Sequence, residues 1–232
     1  MTSAASLDPC GPWVEKWLSL PRFGPYLKAV DQDPTRALEL YEWNSQLAAA
    51  VLHDIGHFEV ALRNAYDAAI QATWRGRSHW LVDDDSPVRR RVVLRMKTRD
   101  GRRVSVDIHE GMRQKIDKVR ERVGFNAPPG KVIAELSFGF WRYMTTRHNT
   151  KVLWVPHLRH AFPPGTQLRE VDTRIGLLHE LRNRAAHHEP LFHLPIEERM
   201  TDLLYLAGLL VPELPTWIRD HSRVDELLKA RP

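Results

Sequence analysis

Asp33-Pro34-Thr35-Arg36-Ala37-Leu38-Glu39-Leu40-Tyr41 opens the stretch whose reading decides the fold. Aspartate before proline is a strong helix start. The carboxylate accepts hydrogen bonds from the first free amides, and proline at the first helical position has no amide left unsatisfied. From there to about Trp74 no proline intervenes. Leu38, Tyr41, Leu47, Ala48, Val51, Leu52, Ile55, Phe58, Val60, Leu62 and Ile70 broadly keep helical spacing. The pattern predicts one long helix, or two nearly continuous ones with a bend or close-packing point at Gly56.

Upstream, residues 1–10 are small and polar and are expected to be disordered. Trp13, Trp17 and Leu18 share a helical face, and Pro21 and Pro25 bracket the connection that follows. Downstream, Asp83-Asp84-Asp85 ahead of Pro87 reads either as a helix cap or as loop. Val92-Val93-Leu94 and Val104/Val106 on either side of Asp100-Gly101 suit a hairpin, against a short helix with a loop. Asp107 is expected to open a charged helix to about Val123, and Pro129 to Thr146 to form another. Thr150 to Gly165 reads as irregular. Leu168, Val171, Ile175 and Leu178 form one stripe of a helix beginning at Thr166 and ended by Pro190 and Pro195. Two short helices, about 197–210 and 214–228, complete the chain. The class is all-α, an irregular helical bundle with room for a small β-hairpin insertion near residues 90–106. One domain is expected over residues 11–232, with its core at about 20–195 and C-terminal helices over 196–230.

An apolar fraction of 43% in 232 residues is enough for a proper core. The apolar run Leu203 to Val211 falls well short of the roughly eighteen residues a membrane span needs. The N-terminus lacks the basic start and apolar stretch of a secretory signal. The single cysteine, Cys10, excludes an internal disulfide framework and fits a reducing compartment. These features predict a cytoplasmic protein with no membrane partner.

Net charge is +5, from 34 basic and 29 acidic residues. The bias concentrates in Arg89, Arg90, Arg91, Arg95, Lys97, Arg99, Arg102 and Arg103, opposed only by Asp100. That cluster reads as an RNA-backbone surface or, equally, as a solvated face. A second run, Arg113, Lys115, Lys118, Arg120 and Arg122, is interleaved with Asp117 and Glu121 and reads first as a solvated helix face.

The chemistry-bearing stretch is Leu181-Arg182-Asn183-Arg184-Ala185-Ala186-His187-His188-Glu189-Pro190. A guanidinium holds phosphate through paired, charge-assisted hydrogen bonds, and an imidazole exchanges a proton near neutrality. Together they are a minimal kit for cleaving RNA through its own 2′-hydroxyl without a metal or other cofactor. Residues five apart in a helix differ by about 140° around its axis. Arg182 and His187 therefore converge only if the helix loosens or ends near Ala186. Asn183 is placed to hydrogen-bond the phosphate or orient the histidine. His188 competes with His187 for the proton-transfer role. Arg and His at a helix C-terminus are also favoured simply by the helix dipole.

This stretch resembles the Arg-x4-to-6-His signature of the HEPN superfamily of α-helical ribonucleases, and most closely its Abi-like branch of abortive-infection proteins. Leu136-Ser137-Phe138-Gly139-Phe140-Trp141-Arg142-Tyr143-Met144 resembles that family's middle helix. Leu40-Tyr41-Glu42-Trp43-Asn44 and Phe58-Glu59-Val60-Ala61-Leu62-Arg63-Asn64-Ala65 are similar to its long first helix. The resemblance implies catalysis by Arg182 and His187 in a cleft shared by two copies, hence a homodimer acting on RNA and restrained by an antitoxin, an inhibitor or a regulatory RNA. Glu59, Arg63 and Asn64 are expected to line the cleft or brace the motif helix. The alternative is a non-catalytic RNA-binding or protein-interaction domain of the same fold. A more distant one is a metal site at His53 and His57, whose i, i+4 spacing suits zinc but which lacks an evident third ligand.

Overall fold

The computed structural model describes residue 8, residues 11–97 and residues 100–232. The expectation for residues 1–10 falls outside these apart from Asp8, as do Arg99 and the Lys97 side chain.

The spine is one uninterrupted helix, α3 (Pro34–Thr73), preceded by α1 (Pro12–Leu18) and α2 (Leu20–Ala29). At 40 residues it is about 60 Å long. Asp33 caps it as its sequence implies, Oδ1 accepting from the amides of Thr35 (2.9 Å) and Arg36 (3.2 Å). Gly56 does not break it, because a full set of apolar contacts on either side holds the helix through that position. Leu40, Leu47, Val51, Ile55, Phe58, Leu62 and Ile70 are buried along one stripe.

A two-stranded antiparallel hairpin follows, β1 (Val93–Lys97) with β2 (Arg103–Asp107), as the β-branched residues around Asp100-Gly101 suggest. Its register pairs Arg95 with Ser105 and Lys97 with Arg103. Asp107 does not open the next helix. Its carboxylate instead accepts from the amides of Val92 and His109 and pairs with Arg113, closing the hairpin stem. Burial opposes that charge, but these partners outweigh it and hold the carboxyl at about 2. Asp83-Asp84-Asp85 lies in turns, with Asp83 Oδ2 accepting from the amides of Arg77 and Ser78.

The charged helix α4 (Glu110–Val123) leads to α5 (Pro129–Glu135) and α6 (Phe138–Met144). The single helix expected over 129–146 is thus two. Leu136 (ψ 129°) and Ser137 (ψ 158°) are extended, and the turn lets Trp141 Nε1 donate to the Leu136 carbonyl at 3.3 Å. Short 3-10 and π-helical turns occupy much of 147–161, part of the stretch expected to be irregular, and precede α7 (Leu168–Ala186), then α8 (Ile196–Leu210), α9 (Leu214–His221) and α10 (Val224–Lys229). The last two replace the one helix expected over 214–228. Ser222 is extended between them, its hydroxyl donating to the buried Asp54 carboxylate (2.5 Å) and accepting from the Val224 amide. Pro25 sits within α2 rather than bounding a loop, which costs that helix one backbone bond.

One core runs from Val14 to Leu227, with Trp80 and Trp141 fully buried edge to face at 6.4 Å. Helices α6, α7 and α8 and the C-terminal α10 all pack on α3 or on each other. Trp43 Nε1 donates to the Leu227 carbonyl at 2.6 Å, tying the chain's end to the spine. Among the described residues no helix is long and apolar enough to cross a membrane.

Candidate active site at the end of helix α7

Helix α7 presents Val171, Ile175, Leu178, Leu181 and Ala185 to the core. Two glycines bring it close to α6. A Cβ on Gly139 would stand 3.0 Å from His179 Nε2, and one on Gly176 would stand 3.1 Å from Arg142 Nη2. The Arg142 guanidinium pairs with Asp172 at 2.6 Å, and the His179 ring meets Phe138 edge to face. The aromatic block around Gly139 is therefore the seat on which the motif helix rests.

His179 is a site residue that local pattern does not reveal. Asn183 Nδ2 lies 3.2 Å from its Nε2, within hydrogen-bond distance. Burial, and then the charges of Arg142, Arg182 and Lys115, push its pKa below the usual 6.5. Arg182 lies half-buried on the same stretch of helix. Of the three half-buried arginines of α7, Arg174 pairs with Glu170 and Asp202, and Arg184 with Glu180 and Glu189. Among the described residues Arg182 has no carboxylate within 4 Å and no hydrogen-bond partner. Its charge is felt by Glu59 on α3, whose pKa burial raises against the pull of Arg182 and Arg63. Arg63 reaches the Ala134 carbonyl at 3.4 Å, while Asn64 faces solvent. The structure thus brings Glu59, Arg63, His179, Arg182 and Asn183 together and leaves Asn64 out.

Helix α7 ends at Ala186, ahead of Pro190 and Pro195, the prolines expected to end it. His187 is the C-cap residue, and His188 takes a left-handed conformation (φ 54°). The His188 amide donates to the Ala185 carbonyl (3.1 Å) and the Glu189 amide to that of Arg184 (2.9 Å). This is a Schellman termination with histidine where glycine is usual. Both imidazoles are exposed. Replacing His188 with glycine is expected to raise stability by about 1 kcal/mol, since a Cβ in this conformation costs about that much. The thermal unfolding midpoint should rise by roughly 2–4 °C, and an unchanged or lower midpoint would show that the histidine side chain makes a contact that offsets its backbone cost.

Two distant residues fix the turn, and no local signal marks either as a pair with it. Arg22 Nη1, from α2, donates to the carbonyls of His187 (3.2 Å) and His188 (3.1 Å). Asn44, 2% exposed on α3, accepts from the Leu191 amide at 2.6 Å and donates to the Glu189 carbonyl at 3.2 Å.

The basic cluster divides. Arg89 is only 8% exposed and pairs with Asp84 and Asp117, both at 2.8 Å, so it holds the hairpin base to α4 rather than a surface ligand. Arg102 pairs with Asp100 at 2.7 Å, and Arg90, Arg91, Arg95 and Arg103 are exposed. His53 and His57 meet edge to face, but the Asp54 carboxylate between them is taken by His53 Nδ1 (2.9 Å) and Ser222. Among the described residues no group of three metal-binding side chains exists.

His109, His157 and His179 all have pKa values pushed below 6.5, burial being the largest cause in each. The folded state therefore binds fewer protons there than the unfolded chain. Their stabilisation is complete above 6.5 and is lost as pH falls through the depressed values. Glu59, raised from 4.5, acts in the opposite sense in the acidic range. Thermal unfolding followed from pH 7.5 down to 5 should show a falling midpoint; a flat profile would contradict the burial of these imidazoles.

The fold and site define an all-α protein whose charged motif is held at a helix end by two distant clamps. The sequence profile of the Abi-like protein family matches residues 24–193. The chain belongs to that family. No curated protein and no solved structure matches it significantly.

Proposed function

We propose that this chain is a metal-independent RNA endonuclease of HEPN type, acting in abortive infection or a toxin–antitoxin pair. The observation that carries the reading is Arg182, half-buried at the motif and without a carboxylate partner among the described residues. A partly buried guanidinium with no carboxylate within reach among the described residues is free to take an external anion through paired, charge-assisted hydrogen bonds. Membership of the Abi-like family supports the defence setting.

In the proposed reaction His187 takes the proton of a ribose 2′-hydroxyl. The 2′-oxygen bonds to phosphorus, Arg182 stabilises the phosphorane charge, and the bond to the 5′-oxygen breaks as that oxygen is protonated. The products are a 2′,3′-cyclic phosphate and a 5′-hydroxyl. One imidazole does not serve both proton steps in a single pass. Residues five apart on a helix are about 7.5 Å apart along its axis and about 140° apart around it, which keeps Arg182 and His187 of one copy from acting on the same atom directly. Both points favour a two-fold homodimer, in which the second copy's motif completes the cleft. An antitoxin, inhibitor or regulatory RNA would restrain such an enzyme in the cytoplasm.

A binding-only domain is favoured by one observation, the five exposed arginines of the hairpin region among the described residues, Arg90, Arg91, Arg95, Arg102 and Arg103. Incubating the purified protein with total tRNA in excess EDTA separates the two. Discrete fragments are expected, and intact RNA in the presence of a folded dimer would support binding alone.

A further inference from the structure

A cavity of about 410 Å³ lies between α4 and the α5–α6 connection. Its cationic rim is Lys115, Lys118 and Arg122, and its floor is the apolar Val119, Leu136 and Phe140. The only acid at the rim, Glu135, is held by Arg122 at 2.6 Å. Lys115 and Lys118 are exposed and have no carboxylate within 4 Å among the described residues. A second cavity of about 470 Å³ shares Lys115 and Phe140 with the first and reaches Tyr143, the hairpin's Val106 and Asp107, whose carboxylate is held by Arg113. The two form a trough along α4. At its centre, Phe140 follows Gly139, where an added Cβ would stand 3.0 Å from His179 Nε2, and that imidazole is hydrogen-bonded to Asn183 of the motif.

The geometry points to this trough as the subsite for a single-stranded segment of the RNA substrate, two nucleotides long, leading to the motif at the end of α7. Unpaired ammonium groups suit phosphates as point charges. An apolar floor beside them suits base faces, which only an unstacked strand exposes. Each cavity has the volume of a site for one small organic group. The α4 run is thus an anion-binding edge rather than only the solvated face its mixed charges suggest. The assignment rests on the proposed RNA substrate, but binding tests it apart from cleavage.

The test uses the full chain carrying His187→Ala, so that RNA stays intact, and a fluorescent ten-nucleotide unstructured RNA titrated at 50 to 200 mM salt. Adding Lys115→Gln and Lys118→Gln is expected to weaken binding about tenfold at the lower salt. It should also make the slope of log affinity against log salt shallower by about 1.4, two ions at about 0.7 each. Unchanged affinity and slope would overturn the subsite even if the native chain cleaves RNA. Lysine-dependent binding would uphold it even if the native chain does not. A 4-thiouridine crosslink is expected within residues 112–122 or 136–143. Crosslinks confined to the hairpin would overturn it, as would equal competition by adenosine monophosphate or by poly-glutamate.

Discussion

His187→Ala is expected to lower RNA cleavage by about 10²- to 10⁴-fold, the usual contribution of a positioned proton carrier. Its fold should survive. The side chain is exposed, and the contact the residue makes with Arg22 is through its carbonyl, which alanine keeps. Stability should stay within about 0.5 kcal/mol of the native chain, so the loss of activity cannot be assigned to unfolding. Arg182→Ala should cost about 10²- to 10³-fold, as for loss of one charge-stabilising donor. It also removes a cation that offsets the burial of Glu59, raising that carboxyl's pKa further. Arg182→Lys should recover little, because an ammonium cannot offer the paired, planar donors of a guanidinium. Initial rates on a defined RNA beside thermal unfolding curves measure all three.

The second large effect is expected at Asn44, remote from any chemistry. Asn44→Ala leaves the amide of Leu191 and the carbonyl of Glu189 without their partner, inside or at the edge of the core. Each buried group left unsatisfied costs about 1–3 kcal/mol. Stability should therefore fall by roughly 2–4 kcal/mol and the unfolding midpoint by roughly 5–15 °C. Cleavage should fall with it at temperatures where the protein is still folded, since the turn carrying His187 loses one of its two clamps. Asn44→Asp retains the acceptor for Leu191 and should lie between the two. Unfolding curves unaltered in Asn44→Ala would show that the turn holds itself.

How far the sequence reveals this arrangement depends on how local the cause is. The α3 start is legible because Asp33 and Pro34 act within one turn. The hairpin is legible because β-branched residues flank Asp100-Gly101. The end of α7 is legible to within a few residues from Pro190. The broken helices are not. The turn at Leu136-Ser137 follows from packing Trp141 and Phe138 into the core, and the turn at Ser222 from a bond to Asp54, 168 residues earlier. Arg22 is likewise joined to the motif across 165 residues. Asn44 did carry a signal, as a polar residue inside the apolar stripe Leu40, Trp43, Leu47 and Val51, but its partners could not be named. Within the basic cluster, sequence alone gives no way to tell the buried Arg89 from its exposed neighbours, because Asp117 lies 28 residues on, in α4.

The central claim is tested most directly by the chemistry of the cut ends. A single defined RNA is incubated in excess EDTA with the native chain, with Arg182→Ala and with His187→Ala, and the fragment termini are identified by mass. The account predicts 2′,3′-cyclic phosphate and 5′-hydroxyl ends from the native chain and none from either variant. Fragments ending in 3′-hydroxyl and 5′-phosphate, or cleavage that persists in both variants, would contradict it.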